Sequence, residues 1–382
     1  MLLIHLASAG GRHGYQSLLD EFWEQAGDLG LRLPSDQVPS AQAFCAARQK
    51  LKADLLRVLV RGVSNEVSAS LGSAGRWHGH RVFAVDGSKV SVQRSDELHS
   101  AFGRPCGGHC PQMLISTIFD VMTACPHYGN VAPCHADERA ELIGMLDQVP
   151  ADSVIVLDRG YPSFEVMHEI RRRGLHFVIR VPSDQFGAVR KFVESAGTDE
   201  IVTIDPPADM RRFFDESIDV RALYFSKSGA DPTIIITDLV GPQYSTKEIG
   251  DLYTKRWQIE EFYKLENASV FSFGQCHAKS RNGVEQEVFA FALFVALSRH
   301  LAVAAAERAA VSVHVIARKH CMLALARCLA IAIMMDDRAR AHEKLDATIA
   351  VLSKRRTPER PERSYPRVSF KPRKRWCAKG KL

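Results

Sequence analysis

The chain has 382 residues, of which 46% are apolar and 25% are charged. That balance is typical of a soluble globular protein of two or three domains, and it excludes a disordered or fibrous chain. The longest apolar run, 288–297, ends at Ser298-Arg299-His300 and is shorter than the ~18 residues of a membrane span. The amino-terminal residues also lack the basic segment and sustained apolar stretch of a signal peptide. We therefore expect a cytoplasmic protein with no membrane association.

Charge is distributed unevenly around the net value of +6. Residues 354–382 contain twelve Lys or Arg and two Glu, so this tail carries 12 − 2 = +10 and the remainder carries 6 − 10 = −4. A basic tail on a slightly acidic body favours a polyanionic partner, because each Lys or Arg at a phosphate releases condensed counterions. A solvated tail without a partner explains the charge equally well.

The nine cysteines are an odd number with no regular spacing, which predicts reduced thiols rather than a disulfide framework. One local group carries the thiolate and imidazole ligands that zinc prefers. Its spacing matches no zinc motif, so we interpret its members as buried or loop residues. The group comprises Cys106, His109, Cys110, Cys134 and His135.

Residues 15–75 predict helices and no strand. Ser40 is a plausible N-cap, and apolar residues recur after it at helical spacing. The glycines and polar residues of 72–80 interrupt this pattern and predict a boundary. The recurring apolar positions are Ala43, Ala47, Leu51, Leu55 and Val58.

From Arg81 onward, short apolar strands alternate with helices, which predicts an α/β domain with a mixed sheet. A turn at Gly87-Ser88 would separate the first two strands as a hairpin, and Asp137 would cap the first helix. The predicted strands are 82–86, 89–93, 113–123, 152–158 and 176–181, and the predicted helices are 137–149 and 163–173.

The following residues contain strand-like segments without long helical patterns between them, and 182–243 is therefore predicted to be a β-rich insertion. A single helix is predicted over 245–269, with Ser245 or Thr246 as its N-cap. Two further Ala- and Leu-rich helices, about 283–308 and 313–340, are predicted to be buried. Four prolines argue against helix in the basic tail.

Two aspartates share one sequence context. Asp86 and Asp158 each end an apolar run and precede a turn-forming segment. Strand ends are where an α/β sheet presents side chains to a ligand. A strand-ending Asp also commonly caps the following turn. Either aspartate taken alone leaves both interpretations open.

A polar stripe in the predicted helix 245–269 supplies further candidates. Tyr253, Arg256 and Glu260 are spaced so that they share one helical face, and Lys264 follows one turn later. Such residues are unusual on a face that packs into the core. A solvated face with Glu260 paired to Lys264 is the alternative, and periodicity does not exclude it.

These residues carry a resemblance to a known family. The segments VDGSKV with Asp86, VIVLDRGY with Asp158 and YTKRWQIEEFYK with Glu260 resemble the three blocks of bacterial insertion-sequence transposases of the DDE type, specifically the insertion-sequence-four group. That group has the signature Tyr-x2-Arg-x3-Glu-x6-Lys in its third block. Flanking sequence segments such as DERAEL and AKSRNGVEQEVFAF extend the resemblance over nearly the whole chain.

The resemblance implies a ribonuclease-H-like catalytic core in which Asp86, Asp158 and Glu260 bind two Mg²⁺ ions, for which Mn²⁺ can substitute. Carboxylates suit such hard cations, and two ions can stabilise both oxygens of a phosphodiester displacement. Tyr253 and Arg256 would bind phosphate beside the scissile bond, with Lys264 and Arg159 as further DNA-binding candidates. The implied partners are double-stranded DNA, as terminal inverted repeats and target, and a second copy of the chain.

The implied organisation begins with a helical DNA-binding module, has a catalytic core divided by the β-rich insertion, and ends with C-terminal helices and the tail. The respective ranges are 1–78 for the module, 79–181 and 244–310 for the two parts of the core, 182–243 for the insertion, 311–353 for the C-terminal helices and 354–382 for the basic tail.

One position departs from the signature, because Asn267 stands where the family has Lys. An ammonium and a carboxamide are not equivalent at a phosphate. Three hypotheses therefore stay open: an active transposase, a domesticated or inactive relative that binds DNA without cutting it, and a nuclease of the same fold acting on another nucleic acid.

Overall fold

The computed structural model describes residues 1–8, 14–31, 33, 35–214, 216–227, 230–267, 276–329, 331 and 337–357. Its central element is an eight-stranded mixed sheet. The strands are β1 (Val82–Ser91), β2 (Gln112–Asp120), β3 (Cys125–Pro133), β4 (Val154–Leu157), β5 (His176–Val181), β6 (Asp199–Ile204), β7 (Ile218–Lys227) and β8 (Ala230–Thr237).

The strand order is β3-β2-β1-β4-β5-β8-β7-β6. The first three strands are antiparallel, while β4 and β5 run parallel to β1. This is the mixed α/β sheet of a ribonuclease-H-like core, and it confirms the predicted fold class. Because β1, β4 and β5 are parallel, their carboxyl ends lie at one edge of the sheet and their amino ends at the opposite edge.

The sheet is buried on both faces, since successive side chains of a strand point to opposite sides. In β1, Val82 and Ala84 belong to one core cluster and Phe83 and Val85 to the other. Strand β4 alternates in the same way. Near-continuous apolar runs such as VIVL therefore reflect burial on two faces and not on one.

Helices cover both faces. The helix α6 begins at the Asp137 N-cap, as predicted, and α3 begins at the Ser40 N-cap. The helices are α1 (Leu2–Ser8), α2 (Tyr15–Asp28), α3 (Ala41–Gln49), α4 (Ala53–Leu71), α5 (Asp96–Phe102), α6 (Glu138–Met145), α7 (Phe164–Arg172), α8 (Gly187–Glu194), α9 (Thr246–Thr254), α10 (Trp257–Asn267), α11 (Arg281–Ala309), α12 (Arg318–Cys328) and α13 (Arg338–Leu352).

The predicted hairpin at Gly87-Ser88 was wrong. Both residues lie inside the continuous strand β1, where Gly87 pairs with Ser116 and Ser88 with Ile115 of β2. The partner strand supplies the backbone hydrogen bonds that a local turn would otherwise satisfy. Asp86 consequently lies within a long strand and not at a turn.

The segment 182–243 contributes the predicted strands, together with helix α8. These strands continue the central sheet, because β8 pairs antiparallel with β5. Ile234 and Ile236 of β8 pack in the same core cluster as Phe177 of β5. The segment is therefore joined to the core by backbone hydrogen bonds as well as by apolar contacts.

The prediction of one helix over 245–269 was also wrong, because the chain forms α9 and α10 with a break between them. Ser245 does cap α9, in a capping box with Glu248. The predicted helix 313–340 is likewise divided, since the Asp337 side chain caps a new helix, α13, by accepting from the Arg340 amide.

The amino-terminal helices pack against α11, which crosses one face of the sheet. Side chains of α2 and α4, such as Leu18 and Val60, share a core cluster with Phe291 of α11. By length and composition α11 could cross a membrane, but 83% of its most apolar window is buried inside the protein. Two of the predicted apolar positions, Leu55 and Val58, are instead 51% and 54% exposed on α4.

Candidate active site

Asp86 and Asp158 lie side by side at the carboxyl edge of the parallel strands. Ala84 of β1 pairs in register with Val156 of β4, and the two aspartates follow two residues later on each chain. Side chains two residues apart point to the same face, and neighbouring strands are ~4.8 Å apart. The sheet therefore brings both carboxylates to the face on which Ala84 and Val156 are buried.

A third polar side chain lies next to the two aspartates, on the neighbouring strand β5. Arg180 of β5 follows Ile179, which pairs with Leu157, so Arg180 is the neighbour of Asp158. Val178 and Val156 lie in one core cluster, which places Arg180 and Asp158 on the same face as well. Asp86, Asp158 and Arg180 thus form a row across β1, β4 and β5.

The pKa of Asp86 is raised to about 6, chiefly by burial and also by the neighbouring Asp158, while the Gly87 amide and Arg256 oppose the rise. The Asp86 Oδ1 atom accepts a hydrogen bond from the Gly87 amide at 2.9 Å. Asp158 Oδ1 accepts from the Gly160 amide at 2.8 Å. Asp158 caps the turn that follows it, as the alternative interpretation predicted, whereas Asp86 accepts from the next amide of its own strand.

Helix α9 carries the predicted Tyr253 and helix α10 the predicted Glu260, while Arg256 lies in the turn between them. Arg256 is 7% exposed, and its Nη2 donates to Glu260 Oε1 at 2.9 Å. Its guanidinium lies over the ring of Tyr253 at 5.9 Å. Because Arg256 also lowers the pKa of Asp86, this pair lies within electrostatic reach of the aspartates.

Helix α10 is attached to β1 beside the first aspartate. The hydroxyl of Tyr263, on α10, donates to the Asp86 carbonyl oxygen at 2.7 Å. The side chain is 7% exposed and belongs to the core cluster on that face of the sheet. Tyr263 therefore sets the position of the Glu260 helix relative to Asp86.

The remaining predicted DNA-binding residues, Lys264 and Arg159, lie at the surface. Lys264 is paired with Glu261 and not with Glu260. Arg159 is exposed directly after Asp158. Asn267 ends α10, and its side chain lies outside the described residues.

Sequence reasoning missed three residues of this edge. One was Arg180, for which the signal was a single Arg within the apolar run HFVIRV. The second was Glu138 of α6, which raises the pKa of Asp86. The third was Tyr161, whose hydroxyl donates to Glu138 Oε2 at 3.4 Å and whose pKa is raised by burial and by Asp86. The resemblance identified DERAEL only as flanking text.

The donor set suits a hard divalent cation, because the candidate ligands Asp86, Asp158, Glu138 and Glu260 are all carboxylates. Within the described residues, however, their oxygens do not form a group of three within 4.8 Å. Glu260 is turned toward Arg256 instead. The structure brings the two aspartates together, while Glu260 pairs with Arg256, which lies within electrostatic reach of Asp86.

The group of cysteines and histidines around 106–135 forms no such ligand cluster in the described part of the chain either. Cys134 is buried, whereas Cys106 and His135 are exposed. The eight cysteines that the structure describes are free thiols.

The fold and the paired aspartates define the class as a ribonuclease-H-like α/β protein with a carboxylate pair at one edge of its sheet. A family model described as "Transposase DDE domain" matches residues 77–297, which is 221 of the 382 residues. The chain belongs to this family and is a DNA transposase. Enzymes of this family depend on metal ions.

Among solved structures, the chain is similar to the piggyBac transposase in a cryo-EM synaptic complex with hairpin DNA. The sequence identity is 10% and the TM-score is 0.44, over 95% of this chain and 86% of that chain. No curated protein matches the chain.

Proposed function

We propose that the chain is a transposase of the insertion-sequence-four group, of bacterial origin, that cuts DNA at the ends of a mobile element and joins them to target DNA. The observation that carries this proposal is the in-register placement of Asp86 and Asp158. It is supported by the Arg256–Glu260 pair beside them.

Asp86, Asp158 and Glu260 would hold the metal, with Asp86 in the central position between the other two. Two Mg²⁺ ions, replaceable by Mn²⁺, fit an all-oxygen donor set and would stabilise the charge that develops on the attacking and leaving oxygens. The raised pKa of Asp86 supports this role, because a buried carboxylate beside another anion binds a cation favourably.

The cationic side chains would position the DNA backbone. Arg256 offers a bidentate fork, and none of the described residues supplies a hydrogen-bond partner for its Nε. Tyr253 and Arg180 flank it at the same edge, and the exposed Arg159 and Lys264 are available to phosphates further from the scissile bond. Such contacts fix register on the duplex without reading its sequence.

The enzyme would act in the bacterial cytoplasm on terminal inverted repeats and target DNA. It would work as a homodimer, because two element ends must be brought together. The amino-terminal helices and the basic tail are the segments that would bind the repeats. Residues 358–382 of that tail lie outside the described part of the chain.

The test is cleavage and strand transfer on DNA carrying the genomic flanking repeats, with Mg²⁺ or Mn²⁺, by Asp86→Asn, Asp158→Asn and Glu260→Gln. We expect each to lose activity by at least ~100-fold. The matched control is Asp209→Asn, at an exposed position outside the site. Activity close to that of the control in any of the three variants would overturn the assignment of that residue.

A DNA-binding relative that no longer cuts is the second candidate, favoured by Asn267 at the signature Lys position. It predicts that the wild-type chain binds the repeats but leaves them intact. Asn267→Lys would then be expected to restore cleavage. An active wild-type chain excludes this candidate.

A further inference from the structure

A second group of ionisable side chains lies at the opposite edge of the sheet. His80 precedes β1, Asp152 precedes β4, and His176 is the first residue of β5. Asp152 and Asp158 lie on either side of β4, and six residues of extended chain span about 20 Å. This group is therefore separate from the carboxylate site at the carboxyl edge.

The spacing of the three side chains matches the ligand shell of a small metal ion. His80 Nδ1 lies 3.3 Å from Asp152 Oδ1, and His176 Nε2 lies 3.4 Å from the same oxygen. Ligands at 2.0–2.1 Å from a tetrahedral ion are ~3.3 Å apart. No other three His, Cys, Asp or Glu side chains in the described part of the chain bring their ligand atoms within 4.8 Å of one another.

The outer nitrogen of each imidazole already has a partner. His176 Nδ1 lies 3.0 Å from Asp238 Oδ2, and His80 Nε2 lies 2.9 Å from the Tyr244 hydroxyl. A carboxylate behind a histidine fixes the tautomer and directs the opposite nitrogen toward a metal. Tyr244 can accept a hydrogen bond from the His80 tautomer that leaves Nδ1 unprotonated.

At His176 this arrangement requires a positive charge. When His176 donates Nδ1–H to Asp238, its Nε2 turns a lone pair toward the carboxylate of Asp152. Two electron-rich atoms at this distance are stabilised only by a proton or a metal ion between them. His80 Nδ1 lies 2.7 Å from the Asp152 carbonyl oxygen as well, to which a neutral imidazole can donate, so a metal at this nitrogen takes the place of that proton.

The backbone holds Asp152 in an uncommon conformation. Its φ is +59°, in the left-handed region that few side chains other than Asn and Asp adopt. Its amide donates to the Gly174 carbonyl at 2.9 Å. Residues held in this region commonly lie at ligand sites. The Asp152 side chain is 73% exposed, so a solvent molecule can complete the coordination.

We propose that His80, Asp152 and His176 form a second metal site, which takes a divalent transition metal of the zinc type and joins the amino ends of β1, β4 and β5. Imidazole ligands suit Zn²⁺ and Co²⁺, whereas Mg²⁺ prefers oxygen. The site is stabilising and not catalytic, and it is independent of the proposed function.

The test loads the full-length chain with Zn²⁺ or Co²⁺ in the presence of excess Mg²⁺, and then measures bound metal after gel filtration together with the visible absorption of Co²⁺. The variants are His176→Ala and Asp152→Asn, the latter at an exposed side chain whose replacement leaves folding intact. Asp238→Asn tests the outer partner. His320→Ala, at an exposed position on α12, is the matched control.

We expect one tightly bound ion per chain in the wild type, in His320→Ala and in Asp86→Asn. Affinity should fall by at least ~10-fold in Asp238→Asn, in the range seen for outer-shell partners, and further in the two ligand variants. The inference is overturned if the wild type retains no more metal than His176→Ala, as a protonated His176 would predict. It is also overturned if the ion is lost in Asp86→Asn.

Discussion

At the scale of single residues, several acidic side chains surround Asp86, where burial disfavours the charged form of a carboxyl group. Asp86 is largely removed from water, and Asp158 and Glu138 lie within electrostatic reach. Arg256 offsets part of this repulsion. The folded protein consequently binds a proton at Asp86 more tightly than the unfolded chain does, and this affinity has a measurable effect on stability.

The first prediction concerns pH. The pKa of Asp86 is about 6 in the folded protein, against 3.8 for an exposed Asp. Because the folded state binds the proton more tightly, the free energy of unfolding falls as pH rises from about 4 to about 6. Asp86→Asn removes this loss, so above pH 6 the variant should be more stable than the wild type by up to roughly 3 kcal/mol.

The measurement is urea unfolding of both proteins from pH 4 to pH 8 without divalent cations. The difference between them isolates the Asp86 site, since groups remote from Asp86 titrate equally in each. A difference that stays constant over this range would contradict the raised pKa.

The second prediction concerns Arg180, which stands beside Asp158 in the row of active-site residues. A charged hydrogen bond to phosphate contributes about 1.5–3 kcal/mol. Arg180→Gln should therefore slow cleavage by roughly 10- to 100-fold at unchanged thermal stability. Arg190→Gln, at an exposed position of α8, is the matched control, and equal rates in the two variants would remove Arg180 from the site.

At the scale of elements, the break between α9 and α10 decides where the polar side chains point. Here the chain makes hydrogen bonds between residues three apart, such as Arg256 N to Tyr253 O and Ile259 N to Arg256 O. Bonds of this kind tighten the chain relative to an α-helix. Arg256 lies in this turn, and Trp257 after it remains 42% exposed.

The third prediction tests the start of α9. Ser245 accepts from the Glu248 amide, and the Glu248 carboxylate accepts from the Ser245 amide in return. Ser245→Ala should lower the free energy of unfolding by about 1 kcal/mol, because a helix N-terminus loses its cap. Ser100→Ala, in the exposed part of α5, should change it little. Equal values for both in chemical denaturation would contradict a stabilising cap.

At the scale of the whole molecule, a buried polar network ties the amino-terminal helices to the core. Arg48 of α3 pairs with Glu287 of α11 at 3.0 Å, and the two side chains are 6% and 5% exposed. Arg48 also donates to Gln286 and to the Gly283 carbonyl. Through these contacts with α11, the amino-terminal helices are expected to unfold together with the sheet.

The fourth prediction follows from this network. Arg48→Met leaves Glu287 buried without its cation, which should cost about 3–5 kcal/mol of unfolding free energy. Adding Glu287→Gln removes the unpaired charge and should recover part of that loss. Thermal unfolding followed by circular dichroism measures both. If the double variant were no more stable than Arg48→Met, the unpaired charge of Glu287 would not be the source of the loss.

The sequence predicted much of the fold because its strands are apolar runs bounded by turn residues, and HFVIRV is the strand β5 as predicted. The predictions of secondary structure were wrong where a strand distant in sequence supplied the backbone hydrogen bonds. Gly87 and Ser88 pair with β2, whereas local propensity favours a turn there. Strand β3 was missed for a similar reason, since CPHYGNVAP has little alternation of its own.

The sequence by itself determined the family, through motifs that hold Asp86, Asp158 and Glu260 at fixed positions within their own segments. Only the tertiary structure decided which side chains join them, because Arg180 and Glu138 reach Asp86 and Asp158 through strand register and helix packing. The same holds at the opposite edge. His80, Asp152 and His176 are distant in sequence, and parallel pairing of β1, β4 and β5 alone brings their ligand atoms together.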